Sequence, residues 1–111
     1  MITLIRNAEI YAPAELGSQQ LLVAGNRIAA IAPDISLQGE AVQVLDASDC
    51  LLVPGFVDSL AHIIGGGGEG GFGTRTSELN PADAMRAGVT TLVGVLGTDA
   101  ITRTLTNLLA K

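Results

Sequence analysis

Two apolar runs separated by a helix-start signal constrain the fold most strongly. Residues 50–64 read CLLVPGFVDSLAHII and residues 89–97 read VTTLVGVLG; continuous apolar or β-branched runs of this kind are typical of strands buried on both faces. Between them, residues 80–83 read NPAD. This segment supplies a capping Asn, a Pro at the first helical position and an acid near the positive end of the helix dipole. We therefore predict a helix from Asn80 to Gly88.

The second half of the chain thus has the element order of a parallel α/β protein. A last helix is predicted after an Asp99 cap, because Ile101, Leu105, Leu108 and Leu109 recur at helical spacing. The order strand, loop, helix, strand, helix is the β/α repeat. Two strands cannot close a barrel, which usually needs about eight β/α units. Residues 54–111 are therefore predicted to be the first two β/α units of an incomplete TIM-type barrel, completed by further chain or by a partner.

The first half reads as a series of short strands. Residues 2–11 suggest a bent strand or a strand pair, and residues 42–45 suggest another strand. Gly25-Asn26 separates two apolar runs and favours a tight hairpin turn. The predicted fold class is therefore α/β with a β-rich N-terminal part. Residues 1–53 would form a small β-sandwich-like domain, followed by the barrel units of residues 54–111.

Composition excludes several partners. The net charge is -5 and the basic residues form no stripe, so we expect no nucleic acid partner. No apolar run approaches the roughly 20 residues that span a bilayer, and the start lacks the pattern of a secretory leader, so no membrane partner is expected. Cys50 is the only cysteine. We expect it to be a buried thiol in a cytoplasmic chain.

Four consecutive glycines, residues 65–68, follow the first apolar run directly. Each glycine loses more backbone freedom on folding than other residues do. A loop that needs unusual φ angles and opens its N-H groups to a ligand therefore explains the run better than a flexible linker. Residues 65–70, GGGGEG, also match the pattern G-x-G-x-x-G, but that motif should open directly into a helix. Nucleotide binding at this loop remains the weaker alternative.

His62, the only histidine, lies at the end of the first barrel strand. Because residues at i and i+2 of a strand share a face, positions 60 and 62 would both face the mouth of a barrel, where barrel enzymes carry out their chemistry. A hydrogen-bonded structural imidazole is the alternative role for a single histidine.

A family resemblance covers essentially the whole chain. It is carried by PGFVDSLAHIIGGGGEGG, TRTSE and AGVTTLVGVLGTD, and it extends back through RNAEIYAP, LLVAGNRIAAIAP and DASDCLLVPGF and forward to LLAK. These segments resemble the N-terminal part of the bacterial isoaspartyl dipeptidases of the amidohydrolase superfamily. The resemblance implies zinc-dependent hydrolysis of the β-aspartyl bond in isoaspartyl dipeptides.

The resemblance also implies roles for particular residues. His62 matches the second histidine of a zinc-binding His-x-His pair, whereas Leu60 stands at the first position and cannot bind a metal. Glu69 matches the contact to the substrate's α-amino group, Gly67 a backbone contact in the same pocket, and Thr98 a further substrate contact. A solvated acid at Glu69 and a plain helix start at Thr98 are the alternatives. Arg75 and Thr76 are expected to anchor the loop.

The remaining ligands and the catalytic aspartate of the family would lie beyond Lys111. We therefore expect zinc binding to be weak or absent in this chain and its catalytic site to be incomplete. The competing hypothesis is a non-catalytic module that kept the scaffold and lost the metal site. In either case a homo-oligomer or a missing C-terminal barrel is expected to cover the edges of the unpaired strands.

Overall fold

The computed structural model describes residues 1–97, 99 and 102–111. These residues divide into two compact units, Met1–Pro54 and Gly55–Lys111. None of the helices in this described part of the chain has the length and apolar character that crossing a membrane requires.

The first unit is one mixed sheet. Its strands are β1 (Ile2–Tyr11), β2 (Glu15–Ala24), β3 (Arg27–Ala32), β4 (Val42–Asp46) and β5 (Leu51–Leu52). The order is β3-β2-β1-β4, with β5 also paired to β1. Neighbours β1 and β2, and β2 and β3, are antiparallel, whereas β4 and β5 run parallel to β1.

The central strand β1 explains why the predicted β-sandwich is wrong. β2 pairs along one edge of the ten-residue strand β1, and β4 and then β5 pair in succession along its other edge. All five strands therefore share a single sheet. Its buried core consists of Ala8, Ile10 and Leu21, with partly buried apolar side chains around them.

Local signals in this unit are confirmed. β1 is a bent strand, because Asn7 has a φ of 60° and the pairing with β2 shifts between Ile5 and Ala8. The predicted hairpin joins β2 to β3, and its turn glycine, Gly25, has a φ of 62°. Cys50, in contrast, is exposed rather than buried.

The second unit contains a parallel strand pair. β6 (Phe56–Ala61) pairs with β7 (Val89–Gly94), and a 3-10 helix (Phe72–Thr74) and helix α1 (Pro81–Arg86) lie between them in the chain. Helix α2 (Leu105–Leu109) follows β7; Ile101, which the sequence also assigned to this helix, lies outside the described residues. The predicted order of elements after residue 55 is therefore confirmed.

The two short helices begin at different kinds of cap. Asn80 caps α1 as predicted: its side-chain oxygen accepts a hydrogen bond from the Ala82 N-H at 3.0 Å. Past the end of α1, Gly88 has a φ of 79°. The predicted Asp99 cap of α2 is wrong, because α2 is capped by Thr104, whose hydroxyl accepts from the Asn107 N-H at 3.2 Å.

Strand β6 is not buried on both faces, contrary to the prediction. Phe56, Val57 and Leu60 are 60%, 64% and 65% exposed. The reason is that this sheet has two strands among the described residues, and α1 packs on β7. The apolar run of β6 is therefore uncovered within its own unit.

Candidate functional site

The candidate site is the segment of residues 62–76, here called the glycine loop, which leaves the end of β6. Near that end the pairing runs from Asp58↔Leu92 to Ala61↔Gly94, so β6 holds one extra residue. The Asp58 carboxylate accepts a hydrogen bond from the Leu60 N-H at 3.0 Å and supports this bulge. Bulges often occur beside active sites, where they redirect a side chain. Leu60 lies in the bulge, and His62 follows the strand directly.

Thr76 clasps the middle of the glycine loop. The Gly66 N-H donates to the Thr76 hydroxyl at 2.7 Å, and the Thr76 N-H donates back to the Gly66 carbonyl at 2.9 Å. The Thr76 hydroxyl in turn donates to the Gly66 carbonyl at 3.2 Å. The anchoring role predicted for Thr76 is confirmed.

Arg103 also binds the glycine loop, through hydrogen bonds to backbone carbonyls. Its Nε donates to the Ile64 carbonyl at 3.0 Å, its Nη1 to the Gly67 carbonyl at 3.1 Å, and its Nη2 to the Thr76 carbonyl at 2.9 Å. The residue is only 9% exposed. This guanidinium therefore joins three separate points of the loop. Hydrogen bonds from a charged donor are stronger than those between neutral groups.

Asp99 completes an ionic cluster behind the loop. Its Oδ2 lies 2.6 Å from Arg75 Nη2 and 3.8 Å from Arg103 Nη1, and its side chain is 7% exposed. Arg75 also stacks over the Phe72 ring, with 4.3 Å between the guanidinium carbon and the ring centroid. The predicted anchoring role of Arg75 is therefore confirmed. The carboxylate offsets the burial of two guanidinium groups.

Backbone geometry explains the glycines. Gly65 and Gly67 have φ angles of 89° and 70°, which side chains rarely adopt. A Cβ at Gly65 would lie 2.5 Å from the Thr76 carbonyl oxygen and 2.8 Å from Arg103 Nη2. A Cβ at Gly67 would collide with the Thr74 carbonyl. The predicted loop of unusual φ angles is confirmed.

Three of the four predicted site residues, His62, Gly67 and Glu69, lie on this loop. His62 is exposed. Its ring lies beside two glycines, since a Cβ built on Gly66 would be 3.2 Å from its Cδ2 and one built on Gly97 would be 3.6 Å from its Nδ1. The segments that follow β6 and β7 therefore meet at the imidazole. Glu69 is exposed, and the predicted contact Thr98 lies outside the described residues.

The donor set of this segment does not fit a zinc site. Structural and catalytic zinc sites use three or four protein ligands. Within residues 1–97, 99 and 102–111, no group of three or more His, Cys, Asp or Glu side chains is arranged to hold a metal ion. At the position two residues before His62, the side chain is that of Leu60. A zinc-dependent step therefore cannot be derived from the described residues.

A cavity of about 530 Å³ lies behind the glycine loop. Its cationic side chains are already paired: Arg103 with carbonyls, Arg75 with Asp99, and Lys111 with Glu78 at 2.6 Å. The hydrogen bond from Lys111 lowers the pKa of the Glu78 carboxyl. His62 and Glu69 do not line this cavity. It is therefore a poor candidate for the ligand site.

Sequence reasoning missed Arg103 and the role of Asp99 beside it. Arg103 lies 39 residues from Ile64 and 36 from Gly67, so no local pattern connects them. The one hint in the sequence is that basic residues are scarce, since the chain has six Lys and Arg residues in total.

Comparison with known proteins gives a consistent picture. No family model matches the chain. A crystal structure of the β-aspartyl dipeptidase from the thermophilic, keratin-degrading Fervidobacterium islandicum AW-1 is 44% identical, with a TM-score of 0.88, over 99% of this chain and 30% of that one. The same enzyme in complex with β-Asp-Leu dipeptide gives 43% identity and a TM-score of 0.87, over 99% of this chain and 29% of that one.

A curated relative is more distant. The dihydroorotase of Staphylococcus epidermidis is 35% identical over 89 residues, which are 80% of this chain and 20% of that protein. The chain thus spans less than a third of the length of the proteins it matches. Along nearly its whole length, the chain resembles the N-terminal part of the β-aspartyl dipeptidases of the amidohydrolase superfamily, as its sequence predicts.

Proposed function

We propose that this chain is the N-terminal part of a hydrolase that cleaves β-aspartyl dipeptides, and that it does not form a complete catalytic site alone. The observation that carries the proposal is the glycine loop, fixed by Thr76 and Arg103 beside His62. The supporting comparison is 43% identity to an enzyme crystallised with β-Asp-Leu. The dihydroorotase match supports the wider class of amidohydrolase-type hydrolases.

Two of the proposed substrate contacts lie on the loop, and the third, Thr98, follows β7 in the sequence. A carboxylate at Glu69 would pair with the substrate's ammonium group. The backbone of Gly67 and the side chain of Thr98 would add polar contacts. A loop that is already ordered loses little entropy when a ligand binds, which is how the Thr76 and Arg103 contacts would contribute. Among the described residues, His62 would be the zinc ligand of this site.

Zinc binding by the 111-residue chain is proposed to be weak or absent. A single imidazole is the ligand set that the described residues offer at this place. We expect metal analysis after dialysis to find less than one zinc per chain. One tightly held zinc per chain would show that the ligand assignment is wrong.

The wider architecture follows from the uncovered strand. We propose that β6, α1, β7 and α2 are the first two β/α units of a TIM-type barrel, and that further strands cover the exposed faces of Phe56, Val57 and Leu60. In a barrel these apolar side chains would pack against neighbouring strands and helices.

A second candidate function is a stand-alone, non-catalytic module that self-associates or binds a partner. The same exposed strand favours it, because contiguous exposed apolar surface is typical of interaction sites. Size exclusion with light scattering tests self-association: a stable oligomer at micromolar concentration would support the module, and a monomer would argue against self-association.

The gene itself distinguishes the two functions. An open frame that continues past the codon for Lys111 into further histidine-bearing β/α units supports the hydrolase, and its product should release aspartate and leucine from β-Asp-Leu. The same product should leave dihydroorotate and α-Asp-Leu intact. A stop codon at that point, or a long product without activity on β-Asp-Leu even after Leu60→His, would contradict the proposal.

A further inference from the structure

We propose that Arg103 is the positioning residue of the glycine loop: it holds the loop in the arrangement that a ligand beside His62 and Gly67 would meet. The ligand's identity rests on the proposed function. The ordering of the loop is a property of this chain alone and is tested without a ligand.

The three acceptors of Arg103 explain why an arginine is needed. Ile64 precedes the glycines, Gly67 lies among them, and Thr76 closes the loop. A guanidinium carries five N-H donors in a rigid, planar fork, and here all three of its nitrogens donate to a different carbonyl. A lysine ammonium donates from a single nitrogen, so it cannot reach the three points together.

The environment of Arg103 supports a specific role and not a general surface one. A nearly buried charge is costly unless it is paired and hydrogen-bonded, and here three carbonyls and the Asp99 carboxylate meet that need. Asp99 also holds Arg75, the neighbour of Thr76 in the chain. The loop is thus fixed from Ile64 to Thr76 by one connected set of polar contacts.

Glycines make this fixing necessary. A run of four has more conformational freedom to lose than any other sequence. Without Arg103, the clasp between Thr76 and Gly66 would remain as the described polar link across the middle of the loop. We expect that clasp to open far more often once the guanidinium is removed.

Amide hydrogen exchange of the ¹⁵N-labelled chain tests the proposal. In Arg103→Ala, exchange of the Gly66 and Thr76 amides should accelerate about tenfold or more, since both are bonded across the loop. Amides in the pairing of β1 with β2 should be unchanged. Guanidinium chloride at low concentration should restore part of the protection, and sodium chloride at equal concentration should not. Unchanged exchange in this variant would overturn the proposal.

Two further variants guard against simple unfolding. Arg103→Lys keeps the charge, so the amides of β7 should stay protected from exchange. The protection of the Gly66 and Thr76 amides should fall at least about threefold. Wild-type protection in Arg103→Lys would show that a point charge suffices and would refute the role of the fork. Arg86→Ala is the matched control, because that side chain is 76% exposed and pairs with Asp83; it should behave as wild type.

Binding of β-Asp-Leu separates this proposal from the proposed function. If the wild-type chain fails to bind the dipeptide, the exchange result still stands. If Arg103→Lys binds it as tightly as wild type, the positioning role is wrong while the proposed function survives.

Discussion

Replacement of Gly65 by alanine should destabilise the second unit strongly. The φ of 89° is unfavourable for any side chain, and the new Cβ would lie 2.5 Å from the Thr76 carbonyl oxygen and 2.8 Å from Arg103 Nη2. Backbone strain of this kind costs about 1–3 kcal/mol, and overpacking costs about 1–3 kcal/mol more. Alanine recovers about 0.4–1 kcal/mol by restricting the unfolded chain. The expected net loss in the free energy of unfolding is about 3 kcal/mol.

Two other glycines of the loop separate these contributions. Gly71 has a φ of 97° and a ψ of -176°, with nothing within 4 Å of a built Cβ, so Gly71→Ala should cost only the strain, about 1–2 kcal/mol net. Gly73 has neither a positive φ nor a close neighbour. Gly73→Ala should therefore be neutral or slightly stabilising.

Urea unfolding followed by NMR measures all three variants. Signals from β6, β7 and the helices report on the second unit, and signals from β1 and β2 serve as the internal reference. If Gly65→Ala costs no more than Gly71→Ala, then the loop is not packed against Thr76 and Arg103 in the way described, and the reasoning fails.

Three further predictions concern metal, helix and pH. Leu60→His should raise the affinity of the chain for Co²⁺ at least about tenfold, because it adds a second imidazole near His62. Absorption titration with Co²⁺ measures this affinity, with Leu60→Gln as the control. Equal Co²⁺ affinities of Leu60→His and Leu60→Gln would contradict the ligand assignment. Asn80→Ala removes the cap of α1 and should lower the free energy of unfolding by about 1 kcal/mol. A thermal melt measures this loss, and an unchanged melting temperature would show that the cap is not formed. Hydrogen bonds from Asn7 and Ser48 lower the pKa of Asp46 from its ordinary value of 3.8, so its contribution is present above that value and is lost as the pH falls through the lowered pKa. Asp46→Asn should therefore lower the free energy of unfolding at pH 7 and have no effect at strongly acidic pH. Urea titrations at several pH values measure this. A loss of stability that persists in strong acid would contradict the role given to the ionised Asp46 carboxylate.

Local chemistry made much of the fold predictable. The Gly25-Asn26 turn, the Asn80 cap and the φ demands of the glycines act within a few residues, so the sequence displays them directly. The sharing of one sheet by β4 and β5 depends on where they pair along β1, which no local pattern encodes. The burial expected for β6 failed because it depends on neighbours that the described residues do not supply.

The candidate site was predictable to a smaller extent. Position and composition pointed to the glycine loop, and the family resemblance pointed to Thr76 as its anchor. The link from Arg103 to Ile64 spans 39 residues, and it forms only once the segment after β7 returns to the end of β6. Contacts of this kind come from tertiary structure and leave no signature in a single sequence.

An NMR titration of the ¹⁵N-labelled chain with β-Asp-Leu, using α-Asp-Leu as the isomeric control, tests directly whether the glycine loop binds the dipeptide. We expect the β-isomer to shift the amide signals of Gly67 and Glu69 and the ring signals of His62, while signals of β1 to β3 stay in place. Equal shifts with both isomers, or no shift of the loop signals at saturating dipeptide, would contradict binding at this loop.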